Sequence, residues 1–152
     1  MLIMTAKLSK WKVLTFGLVF ALALSSLFFL GEDSAEAVFA QSGKMSDKSA
    51  RLQFIESLGW QVEEGDFMEI NIPEEFDRVY SDYNELQKSQ GFDLSDYKGK
   101  RAMHYSYTIK NYPTGEEGVT LCLVVYKDKI IAGDVSSPKL DSFMHGLKMP
   151  KE

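Results

Sequence analysis

Hydrophobic and polar positions alternate between Ala102 and Val135 in a way that predicts three consecutive antiparallel strands. In the first strand every second residue is apolar, namely Met103, Tyr105, Tyr107 and Ile109. The second, Val119 to Tyr126, is apolar on both faces, which is typical of a central strand covered on both sides. The third, Lys129 to Val135, is short. We therefore expect a sheet built around this meander.

Apolar residues at helical spacing predict a first helix well ahead of the meander. We expect Ser46 to cap it and the helix to run to about Leu58, where Gly59 can take the left-handed conformation that ends a helix. An acidic turn is expected at residues 63–66. Alternation at residues 68–72 then predicts an amphipathic strand.

A second helix is expected to begin at Pro73 and to end before Gly91, because acids fill its first turn and its apolar residues keep helical spacing. Tyr80 and Tyr83 are expected at the rim of its buried face, with their hydroxyl groups in water. At the end of the chain, a short helix that packs back onto the sheet is predicted from Leu140, Phe143 and Met144.

Together these elements predict an α+β fold in which two helices pack on one face of a roughly four-stranded antiparallel sheet. The predicted order is α-β-α-β-β-β with a short C-terminal helix. A chain of 152 residues has room for one such domain. We expect the domain at residues 48–149, a polar tether at residues 38–47, and a signal peptide or membrane anchor at residues 1–37.

The N-terminal segment carries the features of membrane targeting. Residues 13–30 are uncharged and mostly apolar, three lysines precede them, and three acids follow at Glu32, Asp33 and Glu36. This asymmetry orients the domain outside the cytoplasm. Two outcomes are open: cleavage after Ala37 or Ala40 would release a secreted domain, whereas retention of residues 13–30 would anchor it to the membrane by one helix.

Charge and cysteine content narrow the function classes. The formal net charge is -5, and residues 1–37 contribute as many lysines as acids, so the predicted domain is mildly acidic. Nucleic acid is therefore not an expected partner, because phosphate binding needs a concentrated cationic surface. The single cysteine, Cys122, excludes an intramolecular disulfide and is interpreted as a small buried hydrophobe in the central strand.

Several blocks of sequence resemble a known bacterial family. They are RLQFIESLGWQV from Arg51, IPEEF from Ile72, YNELQKSQGFDLSDYKGK from Tyr83 and LDSFMHGL from Leu140. In their order along the chain they are similar to DUF4830, a domain of unknown function. The resemblance implies a small extracytoplasmic domain behind a hydrophobic N-terminal segment. It implies no activity and no site residues.

Signatures of common enzymes are missing from the sequence, which has no G-x-S-x-G, no phosphate-binding glycine loop, no H-E-x-x-H and no C-x-x-C. We assign no catalytic residue, no metal ligand and no cofactor. The alternative that stays open is a small hydrolase or metal-dependent enzyme built on His104, Asp134 and His145.

The favoured hypothesis is a non-catalytic binding module at the bacterial cell surface. All seven tyrosines lie between Tyr80 and Tyr126, and tyrosines on sheet faces and loops suit recognition because each offers a rigid aromatic surface and a hydroxyl group. The candidate binding residues are Tyr112, expected to be exposed in a hairpin loop, together with His104 and Asp134. The expected partner is an envelope protein, a peptide or a polymer.

Overall fold

The structure is a computed structural model that describes residues 44–139 and 143–150. Its elements are α1 (Lys48–Ser57), β1 (Val62–Asn71), α2 (Arg78–Lys88), a 3₁₀ helix (Leu94–Tyr97), β2 (Arg101–Ile109), β3 (Thr120–Tyr126), β4 (Lys129–Ser136) and β5 (Met144–His145). Neighbouring strands are antiparallel, and they follow one another in the sheet in chain order. The structure thus confirms the α+β class, the antiparallel sheet and the predicted order of the first six helices and strands.

The ends of the helices show which sequence signals decide them. Gly59, with a φ of +89°, follows α1 as predicted. The prediction that α2 begins at Pro73 is wrong, because α2 begins at Arg78. The Asp77 carboxylate accepts a hydrogen bond from the Tyr80 backbone N–H at 2.8 Å, so this side chain caps the helix.

Strand β1 includes the acidic residues 63–66, so the turn predicted there is wrong. The register with β2 shifts between Glu64 and Phe67, which is a bulge rather than a turn. Acidic residues fit this strand because it lies at the edge of the sheet and is exposed, and because Glu63 pairs with Lys110 and Glu64 with Lys48.

The strand register defines two faces of the sheet. One, which we call the α1 face, carries most of the large buried side chains: Tyr107, Ile109, Leu121, Leu123, Val125 and Val135. The other, which we call the α2 face, carries smaller and more polar ones: Ala102, His104, Cys122, Val124, Ala132 and Asp134.

The two helices lie on opposite faces of the sheet, so the prediction that both pack on one face is wrong. Phe54 and Ile55 of α1 belong to the core cluster of the α1 face. Tyr80 and Tyr83 of α2 pack instead against the smaller cluster that contains Val124 and Ala132. The apolar side chains on the two faces of β3 are therefore covered by different helices, α1 on one face and α2 on the other.

Arg51 ties the beginning of the described chain to the α1 face. It is buried; its Nε donates to the Tyr107 hydroxyl at 2.8 Å, and its Nη1 donates to the carbonyl groups of Met45 and Ser46. Its guanidinium also lies 3.6 Å from the centre of the Tyr105 ring. Hydrogen bonds and a cation–π contact therefore replace a carboxylate partner at this buried cation.

The end of the chain departs from the predicted short helix. Residues 140–142 lie outside the described residues, and beyond them Met144 and His145 form β5 rather than a helix. The sheet thus has five strands where about four are predicted.

The predicted leader, residues 1–37, and most of the predicted tether also lie outside the described residues. Within the described ranges, no helix has the length and apolar character needed to cross a membrane.

Candidate functional site

A groove of about 690 Å³ lies between α2 and the α2 face of the sheet. Its walls are mainly apolar and come from α2, the 3₁₀ helix and all five strands. The aliphatic and methionine side chains that line it are those of Ile70, Ile72, Val79, Leu86, Leu94, Val124 and Met144. This volume lies within the range of ordinary small-molecule sites in proteins.

The large side chains that α2 turns toward the sheet, Tyr80, Tyr83 and Leu86, are half-buried and line the groove. The buried residues of α2 are Asn84 and Gln87, both polar. Asn84 donates through Nδ2 to Asp93 at 2.9 Å and accepts at Oδ1 from the Leu94 N–H at 2.7 Å, so it holds the 3₁₀ helix against α2. Hydrogen bonds from Ser95 and Asn84 lower the pKa of Asp93 to about 2, which keeps the Asp93 carboxyl group at this junction ionised.

A buried carboxyl group forms the polar part of the groove. Asp134 is only 6% exposed, and its Oδ1 accepts a hydrogen bond from the Tyr83 hydroxyl at 2.9 Å. Burial raises the pKa of Asp134, while the bonds from Tyr83 and Ser136 and the charge of His104 oppose that rise. Burial and the neighbouring Asp134 also raise the pKa of Tyr83, so its hydroxyl stays protonated and donates.

Exposed apolar side chains surround the mouth of the groove. Val79 is 76% exposed and Met144 is 54% exposed, and both line the groove. Met68 is 59% exposed and pairs with His104 across the sheet, so it lies on the α2 face too, on the edge strand β1. Three of the four large hydrophobic residues that are exposed in the described chain thus lie on the side of the sheet that holds the groove.

Two of the predicted site residues meet in this groove. His104 and Asp134 both line it. His145 does not: it pairs with Val135, which belongs to the α1 face, and its Nε2 lies 3.1 Å from the Tyr112 hydroxyl. The three residues of the enzyme alternative are therefore not gathered at one site.

Tyr112 is buried, so the prediction that its side chain is exposed is wrong. Its ring stacks between those of Trp60 and Phe143, at centroid distances of 5.9 and 4.9 Å. The His145 Nδ1–H donates to the Gly146 carbonyl at 2.6 Å, and Nε2 lies within hydrogen-bond distance of the Tyr112 hydroxyl, at 3.1 Å. This aromatic stack joins the hairpin loop to the C-terminal segment.

Cys122 lies in the groove, opposite Asp134 on the neighbouring strand. It is half-buried, which agrees with its interpretation as a small hydrophobe more than with a reactive thiol. Burial, together with Asp134, raises the pKa of the Cys122 thiol to about 12. A nucleophilic cysteine needs a lowered pKa, so this environment works against thiolate chemistry.

Metal binding by clustered side chains is not a feature of the described residues. Within residues 44–139 and 143–150, no group of three or more His, Cys, Asp or Glu side chains is placed to hold a metal ion.

Tyr83 is the residue of the groove that sequence reasoning misses. Its predicted position at the rim is correct in part, since it is half-buried, but the prediction that its hydroxyl lies in water is wrong, because the hydroxyl donates to Asp134. Helical spacing places Tyr83 on the same face as Leu86 and Tyr80, which was the available signal. The strand that this face meets is not visible in the sequence.

Comparison with known proteins identifies the family of the chain. A family model described as "Domain of unknown function (DUF4830)" matches residues 54–135, which include β1 to β3, α2 and nearly all of β4. No curated protein matches the chain. No solved structure matches it.

Proposed function

Since the chain belongs to the DUF4830 family, a domain of unknown function, we propose its function from the groove and not from its family. We propose that the domain is a non-catalytic binding module. The groove between α2 and the sheet is the binding site. Its ligand has an apolar body that contacts the walls and a polar group that reaches Asp134. The observation that carries this proposal is the groove of about 690 Å³ with a hydrogen-bonded carboxyl group inside it.

The rim supports a ligand that extends beyond the groove. Val79 and Met144 leave apolar surface in water at the groove, and Met68 exposes a further apolar side chain on the same face of the sheet, at β1. A ligand that covers these side chains would gain about 25 cal/mol for each Å² of apolar surface removed from water. Methionine side chains are flexible, so this rim can adapt to ligands of different shape.

The proposal places the domain outside the cytoplasm, as a secreted protein or one held at the cell membrane by residues 13–30. Support for this location comes from the uncharged apolar stretch with lysines before it and acids after it. A module in that position would meet envelope peptides, polymers or small amphiphiles.

Methyl NMR on the full-length chain in lipid nanodiscs tests the binding site, with phenylbutanol as a neutral apolar probe. We expect the methyl signals of Ile70, Leu86 and Val124 to shift, because these residues line the groove. Those of Ile55 and Leu121 serve as internal controls, because they are buried on the α1 face. Empty nanodiscs correct for partition of the probe into lipid.

A pair of tryptophan substitutions on α2 makes the test specific. Val79→Trp narrows the mouth and should weaken probe binding by about tenfold, the equivalent of losing a few buried methylene contacts. Ser81→Trp adds the same side chain at an exposed position that does not line the groove, and should leave the affinity unchanged. Equal shifts on both faces of the sheet, or no shifts at all, would contradict the proposed function.

A further inference from the structure

The ionised side chains that line the groove are negative, apart from one histidine that can carry a positive charge. Among the residues that line it, two are aspartates, one is a histidine, and none is lysine or arginine. Asp82 lies at the rim, largely exposed, and its carboxylate is 3.8 Å from Nε of Arg78. The acid that faces the interior of the groove without a lysine or arginine beside it is Asp134.

Asp134 therefore lacks a full cationic partner within the described chain. The bonds that its carboxyl group accepts come from neutral hydroxyl groups, those of Tyr83 and Ser136. Two histidines can act on Asp134 through a positive charge: His104, which lines the groove, and His145, which does not. A buried carboxylate in this situation is stabilised strongly by an added cation, because charges removed from water need a charged partner.

We infer that the ligand of the groove is an amine: a molecule with an apolar body that presents a positively charged ammonium group to Asp134. This inference rests on the proposed function and names the ligand class of the same site. The ammonium group would donate to the carboxylate oxygens, and charge-assisted bonds of this kind are stronger than neutral ones. The body would lie against Ile70, Leu86 and Val124.

Aromatic rings next to the groove suit the same ligand. Tyr80 and Tyr83 meet edge to face, with centroids 6.4 Å apart, and both line the groove. A cation close to such rings is attracted to their electron-rich faces. An anionic ligand such as a fatty acid would meet Asp134 and Asp82 with no lysine or arginine in the groove to offset the repulsion.

Three probes with one body and different end groups test this inference: phenylbutylamine, phenylbutanol and phenylbutanoate. Affinities are measured by the same methyl NMR titration of the full-length chain at neutral pH, where an alkylamine is cationic. We expect the amine to bind about tenfold more tightly than the alcohol, the difference between a charge-assisted and a neutral hydrogen bond. The carboxylate should bind most weakly.

Two matched substitutions assign the preference to one residue. Asp134→Asn keeps the shape of the side chain and should make the amine and the alcohol bind equally. Asp96→Asn removes the same charge from an exposed position outside the groove and should leave the tenfold preference in place.

The possible results separate the two proposals. Groove shifts with the alcohol or the carboxylate binding as tightly as the amine would overturn the amine inference and leave the binding site intact. No groove shifts with any probe would overturn both. The ranking of the three probes on the unmodified chain is sufficient by itself, so the amine inference is tested even where Asp134→Asn fails to fold.

Discussion

Asp134 keeps a carboxyl group inside a mostly apolar groove, where its hydrogen bonds come from the hydroxyl groups of Tyr83 and Ser136. Burial raises the pKa of this carboxyl group above its ordinary value of 3.8. The folded state therefore holds the proton to higher pH than the unfolded state does. As the pH rises from 3.8 through the raised pKa, ionisation of Asp134 lowers the free energy of unfolding.

This direction leads to a prediction for Asp134→Asn. The amide oxygen can still accept from Tyr83, but the residue no longer ionises, so the variant should gain stability relative to the native chain as pH rises through that window. Above the raised pKa the difference should level off. Urea denaturation at a series of pH values measures it.

Asp96→Asn is the control for that prediction, because Asp96 is exposed. Its stability difference from the native chain should not follow the same course with pH. A constant difference for Asp134→Asn across the whole pH series would show that burial does not shift the pKa of this group.

Individual site residues were predictable where the strand pattern identified them. His104 follows from the alternation of β2, and Asp134 stands out as an acid in an apolar strand. Tyr112 shows the limit of this reasoning. Its loop position indicates exposure, but its ring lies between Trp60 and Phe143, and contacts across that many residues leave no local pattern in the sequence.

At the scale of elements, a glutamine side chain extends the short strand β5. Pairing of β4 with β5 ends at Val135 and His145. Two residues further along each strand, the Gln90 side chain lies between the two backbones. Its Nε2 donates to the Gly133 carbonyl at 2.9 Å, and its Oε1 accepts from the Leu147 N–H at 2.6 Å. Gln90 thereby bonds to both backbones where direct pairing has ended.

Close packing explains why residue 133 is a glycine. A Cβ there would lie 2.8 Å from Leu147 Cδ1 and 2.9 Å from the Cys122 carbonyl oxygen. The backbone of β3 thus approaches this glycine closely. The bulge in this pair of strands lies elsewhere, since the register shifts between Val124 and Val125.

Gln90→Glu should destabilise the protein by about 1–3 kcal/mol, the cost of leaving a partly buried acceptor without its donor. A carboxylate oxygen would replace the Nε2 donor and would face the Gly133 carbonyl. Gln53→Glu, at an exposed position of α1, is the matched control and should change stability little. Urea denaturation of both variants measures the difference, and equal losses would contradict the role given to Gln90.

Over the whole molecule, the sheet separates two layers that pack differently. The α1 face forms a continuous core with large buried side chains such as Trp60, Tyr107 and Leu121. On the α2 face, the groove takes the place of part of the core: the fully buried residues of α2 are polar, and its large side chains Tyr80, Tyr83 and Leu86 are only half-buried. Stability should therefore be concentrated in β2, β3 and α1, and the α2 layer should open more easily.

Hydrogen exchange on the full-length chain tests this difference. Amides of α2 should exchange at a lower opening free energy than those of β3, because fewer apolar contacts hold the helix in place. Saturating phenylbutylamine should slow exchange in α2 and leave β3 nearly unchanged, since the ligand would bridge α2 and the sheet. Exchange of α2 as slow as that of β3 without ligand would contradict the view that the groove weakens this layer.

The sequence by itself determined the class of the fold, the order of its first six helices and strands and the central position of β3, because period and glycine signals are local. It also determined the family, through blocks of residues in a set order. Only the tertiary structure decided that α1 and α2 lie on opposite faces, that Tyr112 is buried and that Tyr83 reaches Asp134. The physical reason is that β3 is apolar on both sides, so its pattern allows a helix on either face. Which helix takes which face depends on contacts between residues far apart in the chain.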